Sequence, residues 1–415
     1  MNILFLSEVF YPHGGGAELA TYRYAKLLSE NGLNVKVVTN KYPSEPDLIT
    51  EGKLAVYRLP LFHGSSIEKY KILFNLGVPF SNFFKKLIAW ADIVYIPRYW
   101  FSAIPIAKAY GKPVLVHLHD YVLVCPLHGL YDFSKGGICQ STSCSAKCIF
   151  AFERNSGRSL KSALASTFLN STVGTQLKRL IELSDGIVCV SNAQKTLICS
   201  RIPKLEKKIK VIYNPLPIGC YPIQSAGDDY GFLGGPNPIK GFQVLRCALN
   251  EIAVNIKIRV HAARFNHSSG SKPAHESLKH ADIIYYGNLN LASLNELYEQ
   301  LRAIVFPSIC PEPLPYAISE TILKSRLVIA SDTGGSPEIG KDCKGVFFFE
   351  SGNTRELAEK IEYVAALDKD DVGDLSAQSR EIFLKNFKDD IVLKEFVNLC
   401  HRLVSFPNIN NIYIE

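Results

Sequence analysis

Residues 305–338, VFPSICPEPLPYAISETILKSRLVIASDTGGSPE, constrain the fold more than any other stretch. An apolar run ends at Pro307-Ser308, too short and too proline-bounded for a helix, and reads as the tip of a buried strand. Glu312 follows in a turn built on Pro311, Pro313 and Pro315, and residues 316–324 have helical spacing and carry Glu320. A second apolar run, 326–331, ends in Gly334-Gly335-Ser336-Pro337-Glu338. Strand, turn, helix, strand and glycine turn make a βαβ unit, which binds ligands outside the carboxyl ends of its strands. The helix after Pro315 turns its N-terminus to that rim, where unpaired N–H groups and the helix dipole favour a phosphate. Glu312 before the helix and Glu320 within it can face the same small ligand.

A chain of 415 residues is too long for one ordinary core. Two domains of roughly 200 residues each are expected. Hydrophobic residues at 47% and charged residues at 20% supply a globular core. The net charge of +7 permits an anionic substrate or contact with an acidic membrane surface. Its only dense basic stretch, residues 204–210 (KLEKKIK), reads as a solvated helix end or loop, so nucleic acid is not an expected partner. No apolar stretch reaches about 18 residues without a charge or histidine, so no transmembrane helix is expected. The first residues lack a basic leader and carry Glu8 within their apolar run. A cytoplasmic location with reduced cysteines is the expectation.

Strands are expected at 3–6 and 35–39, around a helix with apolar periodicity over 19–28 that Asn31-Gly32 closes. Between them, Gly14-Gly15-Gly16 lets the backbone approach a ligand closely or simply makes a tight turn. The dinucleotide fingerprint is not matched, and Thr39-Asn40 stands where such a site needs an acid. A nicotinamide-dependent oxidoreductase is therefore disfavoured. Residues 69–90 mix aromatics with lysines and read as a core helix with a solvated lysine face, or as an interfacial segment. Strands follow at 93–96 and 113–118, and alternation sets His117 and His119 on one face, with His119 nearer the rim. A helix at 168–183, strands at 186–190 and 210–212, and a helix capped by Ser191 complete the first half.

Cys125, Cys139, Cys144 and Cys148 lie within a Gly/Ser-rich stretch. In a reduced compartment they read as a structural zinc site, with His128 able to replace one thiolate; scattered thiols in a loop are the alternative.

The stretch 214–229 is Gly/Pro/Ser/Asp-rich and marks a domain boundary. Beyond it, GFLGGPNPIKG at 231–241 takes a strand into a glycine turn, with Lys240 just before a helix at 242–249. A lysine there can place charge on a diphosphate. Strands are expected at 256–261, leading to Arg264, and at 283–287, leading to Asn288, with a helix at 294–301. An edge strand at 345–349 and a helix at 354–367 follow. Asp368, Asp370 and Asp371 read as a solvated turn, and 382–406 as one helix.

Glu312-x7-Glu320, preceded by Pro307-Ser308 and followed by Gly334-Gly335-x-Pro337-Glu338, resembles the donor site of retaining glycosyltransferases of family 4 (glycosyl transferases group 1). The resemblance implies an α/β GT-B fold, two Rossmann-like domains facing each other across a deep cleft. Its domains would be 1–213 for the acceptor, 214–390 for the sugar nucleotide, and 391–415 as a segment packing back on the first. It implies a retaining hexosyltransferase moving sugar from a UDP- or GDP-sugar to a glycan or lipid-linked acceptor, in surface glycan or glycoprotein biosynthesis. Peripheral contact at the cytoplasmic membrane face fits such acceptors, and catalysis would need no metal. His119, Lys240 and Glu312 are implied as catalytic. Gly15, Gly16, Lys240, Asn288, Glu312, Leu314, Pro315, Tyr316, Ala317 and Glu320 are implied as donor-binding. Two positions depart from the family pattern: Gly235 stands where an arginine is usual, and Ala262-Ala263-Arg264 where glycines are favoured. Gly235 keeps open a GT-B sugar-nucleotide-binding protein with little or no transfer.

Overall fold

The computed structural model describes residues 1–60, 81–140, 145–219, 221–223, 227–253, 257–265 and 273–405. The chain divides into two units, residues 1–216 with 388–415, and residues 217–387.

The first unit is built on β1 (Asn2–Leu6), β2 (Asn34–Asn40), β3 (Leu48–Glu51), β4 (Leu54–Leu59), β5 (Ile93–Ile96), β6 (Val114–Leu118), β7 (Gly186–Cys189) and β8 (Ile209–Val211). Their order is β3-β4-β2-β1-β5-β6-β7-β8, parallel throughout except where β3 pairs antiparallel with β4. Central strands such as β5 and β6 are fully buried and almost wholly apolar, His117 of β6 excepted, because both faces are covered, as in a parallel sheet. Leu4, Leu6, Val94, Ile96 and Val116 pack on one face, and Ile3, Phe5, Ile93, Tyr95 and Leu115 on the other. The helix Asp389–Ser405 returns to the second of these faces and adds Val392, Phe396, Leu399 and Cys400. Arg23 fixes its start: Nη2 donates to Asp389 at 2.5 Å and Nε to the Leu216 carbonyl at 2.9 Å.

The second unit holds β9 (Asp229–Phe232), β10 (Ile258–Ala262), β11 (Ala274–Ser277), β12 (Ala281–Tyr285), β13 (Leu301–Phe306), β14 (Leu327–Ser331) and β15 (Val346–Phe349). The order is β11-β12-β10-β9-β13-β14-β15, with only β11 antiparallel. In each unit the strand order reverses beside the first strand, between β1 and β5 and between β9 and β13. Loops at the carboxyl ends of those strands form the ligand-binding rim of such folds.

Several expected elements differ. The β3–β4 hairpin and the helix Ala146–Asn155 were not anticipated. The helix expected at 168–183 begins much earlier, at Leu160, because Ser159 accepts a hydrogen bond from the Ser162 N–H and caps it. Asp368 is no solvated turn: its carboxylate accepts from the Asp371 N–H and starts the helix Lys369–Asn386. The single helix expected over 382–406 is two, broken where Phe387 takes an extended backbone. Of the aromatic and lysine stretch 69–90, residues 69–80 lie outside the described residues, and the remainder contains the helix Asn82–Trp90. Among the described residues, no helix is long and apolar enough to cross a membrane.

Candidate active site

In the second unit, glycines bring the two expected site loops together. Gly241 ends the turn that carries Lys240 with φ +72°, and a Cβ there would lie 1.7 Å from the Pro307 carbonyl oxygen. Only hydrogen at that position lets the 237–241 turn lie on the loop leaving β13. The Ile309 N–H donates to the Ile239 carbonyl at 2.9 Å and zips the two loops. From the other side Gly334, φ +62°, lies so close to Glu312 that a Cβ would meet its carbonyl oxygen at 2.2 Å. The Gly335 N–H donates to that same oxygen at 2.8 Å.

The result is a charged pair at the rim. Lys240 Nζ donates to Glu312 Oε2 at 2.6 Å, and the buried Ser308 hydroxyl donates to Oε1. Burial works against ionising Glu312, but Lys240 and Ser308 hold its carboxyl below the usual carboxylate value. Pro315 stands at the N-cap position of the helix Tyr316–Leu323 and offers it no side-chain hydrogen bond; the first helical residues, Tyr316 and Ala317, follow the partly buried Leu314 by two and three positions. Glu320 lies on this helix, and burial pushes its carboxyl up to about 7 against the pull of Arg264 and Lys324. Asn288 is exposed just beyond β12.

In the first unit, His119 follows β6 with its ring stacked on His117 at 4.4 Å, as alternation requires. His117 is fully buried and pairs through Nδ1 with the Tyr95 hydroxyl at 2.7 Å, a packed strand residue. Burial lowers the His119 pKa to about 4, so its ring is neutral at physiological pH, and Nε2 is buried with no hydrogen-bond partner among the described residues. The glycine loop is organised by Glu18, whose Oε2 accepts from the Gly15 N–H at 2.6 Å. Gly16 opens the helix Gly16–Glu30. The glycine that the geometry demands is Gly14, with φ +95°, where a Cβ would lie 2.4 Å from the Glu18 Cγ. Arg98, just past β5, joins Glu18 and Glu8, its Nε lying 3.3 Å from Glu8 Oε1. This buried network was not anticipated; its sequence signal is the acid three residues after Gly15, the pattern of a helix cap.

Cys125 and Cys148 are buried, Cys139 is half-buried, and Cys144 lies outside the described residues. Among the described residues, no group of three histidine, cysteine or acidic side chains could hold a metal ion. His128 is committed elsewhere: Nδ1 pairs with Asp120 at 2.9 Å, and Tyr99 approaches its ring.

The site geometry coincides with family-level matches. The family described as Glycosyltransferase Family 4 matches residues 14–218, and that described as Glycosyl transferases group 1 matches residues 227–366. Sucrose-phosphate synthase from Thermosynechococcus elongatus has a similar structure, with TM-score 0.70 at 15% identity, covering 97% of this chain and 99% of that one. HepE from Anabaena, solved with UDP and glucose, gives TM-score 0.63 at 16% identity over 96% of this chain and 98% of its own. A glycosyltransferase from Rickettsia africae gives 0.62 at 18% identity, covering 99% of both chains. Identities this low carry the fold alone. No curated protein matches the sequence.

Proposed function

Since the chain belongs to the GT-B glycosyltransferases of family 4, we propose that it transfers a hexose-type sugar from a nucleotide diphosphate-sugar, with retention of configuration, to a glycan or lipid-linked acceptor. The observation that carries this reading is the Lys240–Glu312 pair, seated at the β9/β13 reversal and flanked by Ser308 and the start of the helix bearing Glu320. HepE, of the same fold, has been solved with UDP-glucose, which favours UDP as the carrier here; GDP stands as the other carrier that the resemblance implies. Breaking the donor C1–O bond develops positive charge on the sugar and leaves negative charge on the diphosphate. Lys240 and the N-terminus of the helix Tyr316–Leu323 stabilise the departing anion, and such preorganised charge supplies most of the expected rate enhancement. Glu312 orients the sugar hydroxyls, and Glu320 accepts from the ribose hydroxyls. His119, Gly15 and Gly16 keep the roles that the resemblance implies. Transfer assays across UDP-, GDP- and ADP-sugars test the reading, with the product anomer read by NMR. A donor bound without turnover would favour the binding protein that Gly235 suggests, and no binding of any donor would overturn both readings.

Glu320 gives this reading a pH signature. A carboxyl titrating at about 7 accepts two ribose hydroxyls only when ionised, so nucleotide affinity should rise with pH through that value. Calorimetry between about pH 6 and 8 should show the rise, and Glu320→Gln should flatten it near the low-pH level. The sign for stability is opposite. A carboxyl whose folded pKa is raised loses stability as pH climbs from the unfolded value of 4.5 to about 7. Glu320→Gln should therefore raise the melting temperature more at alkaline pH than at acidic pH. A pH-independent nucleotide affinity would remove the assignment.

Structural zinc at Cys125, Cys139, Cys144 and Cys148 is proposed alongside. Its support is that the three described cysteines, Cys125, Cys139 and Cys148, lie within electrostatic reach of one another, while burial pushes the Cys125 and Cys148 thiols up in the absence of a cation. Purified chain should hold about one zinc, lost in Cys144→Ser. Metal-free chain of unchanged stability would dismiss it.

A further inference from the structure

One more cation stands at the rim of the second unit. Arg264 follows β10 with a left-handed φ of +68°, a region that favours glycine and costs other residues conformational energy. Its backbone is held there, its N–H donating to the Gly287 carbonyl at 3.1 Å and the Phe265 N–H to Tyr286 at 2.9 Å. The residue is exposed and makes no ion pair with any described residue. A strained backbone that displays a free guanidinium calls for a ligand more than for a packing role.

Its neighbours say which ligand. A Cβ on Gly234 would lie 2.8 Å from Lys240 Cβ, and one on Gly235 would lie 3.0 Å from the Arg264 carbonyl oxygen and 3.2 Å from its Cβ. Lys240 and Arg264 therefore pack on the same two-glycine turn, which has no side chain of its own to fill the space between them and the incoming ligand. Lys240 is already balanced by Glu312. A diphosphate brings more negative charge than one engaged lysine offsets. A planar guanidinium adds two parallel donors matched to phosphate oxygens. Arg264 also acts on Glu320, so it lies within electrostatic range of the second site carboxylate.

We propose that Arg264 is the second cation of the donor diphosphate site, acting beside Lys240 over the Gly234-Gly235 turn. The inference rests on the sugar-nucleotide reading of this unit, and its test separates the two. Binding of UDP, GDP, ADP and the matching nucleoside monophosphates is measured by calorimetry for wild type, Arg264→Gly and Arg264→Lys, with melting temperatures in parallel. Glycine suits the φ of this position, so Arg264→Gly should leave the melting temperature unchanged or raise it. The same variant should weaken the best-bound diphosphate by roughly tenfold or more, and the monophosphate less, with lysine restoring part of the loss. Wild-type diphosphate affinity in Arg264→Gly overturns the proposal and leaves the donor reading standing. Equal loss for both phosphates, with a fall in melting temperature, assigns Arg264 a packing role and also overturns it. Wild type that binds none of the diphosphates overturns the donor reading itself.

Discussion

Glu312→Ala is expected to lower kcat/KM for sugar transfer by about 1000-fold, the range seen when a preorganised polar contact to the transition state is removed. The expectation follows from the contacts that the carboxylate makes. It takes the Lys240 ammonium at 2.6 Å and the Ser308 hydroxyl, so alanine leaves a buried hydroxyl and a lysine without their common acceptor. The loss has two parts, disordered charge at the diphosphate and lost hydrogen bonds to the sugar. Glu312→Gln separates them, keeping the shape and removing the charge, and should fall between alanine and wild type. Circular dichroism and melting curves confirm that the variants are folded, and steady-state kinetics with the donor found in the sugar-nucleotide panel read the effect. A variant within about threefold of wild type would displace Glu312 from the reaction centre.

The largest stability effect is expected at Gly241. Alanine there must escape both φ +72° and a 1.7 Å approach to the backbone oxygen of Pro307, which is no flexible side chain that can swing away. The 237–241 and 307–312 loops must part, and the cost should be about 3 kcal/mol or more. Gly111 provides the control, since it has φ +67° and nothing within 4 Å of an added Cβ. Gly111→Ala should cost only about 1 kcal/mol, from the backbone conformation alone. Urea unfolding of the two variants compares them directly. Equal losses would mean that the contact with Pro307 carries no weight. Because Gly241 also aligns Lys240 with Glu312, its variant should lose donor affinity with stability, whereas Gly111→Ala should not.

How much of this could be read from the residues depends on how local the determining chemistry is. The β13–helix–β14 unit was legible because prolines bound its strand and turn, and because Glu320 falls within a helical run. The Ser191 cap was equally local. The β3–β4 hairpin was readable in principle, since β4 alternates buried and half-buried residues from Leu54 to Leu59. The break at Phe387 carries no proline or glycine, and tertiary packing sets it: Phe383 and Phe387 stack at 4.7 Å in the second unit while Asp389 is claimed by Arg23 in the first. No local pattern announces that claim. The glutamates and the lysine were legible as site residues through turn chemistry. Arg98 was not, because its meaning depends on Glu8 and Glu18 arriving from other elements, whereas the demand for glycine at Gly14 was local and readable from the cap that Glu18 makes on Gly15.

The helix Asp389–Ser405 has a consequence for how the polypeptide matures. One face of the first sheet, around Ile3, Phe5, Tyr24 and Tyr95, is covered in part by Phe396, Leu399 and Cys400, on a helix made long after the strands it packs on. The amino-terminal strands thus emerge first yet stay partly uncovered on that side until the distant helix has been made, with apolar surface open to chaperones and to neighbouring nascent chains.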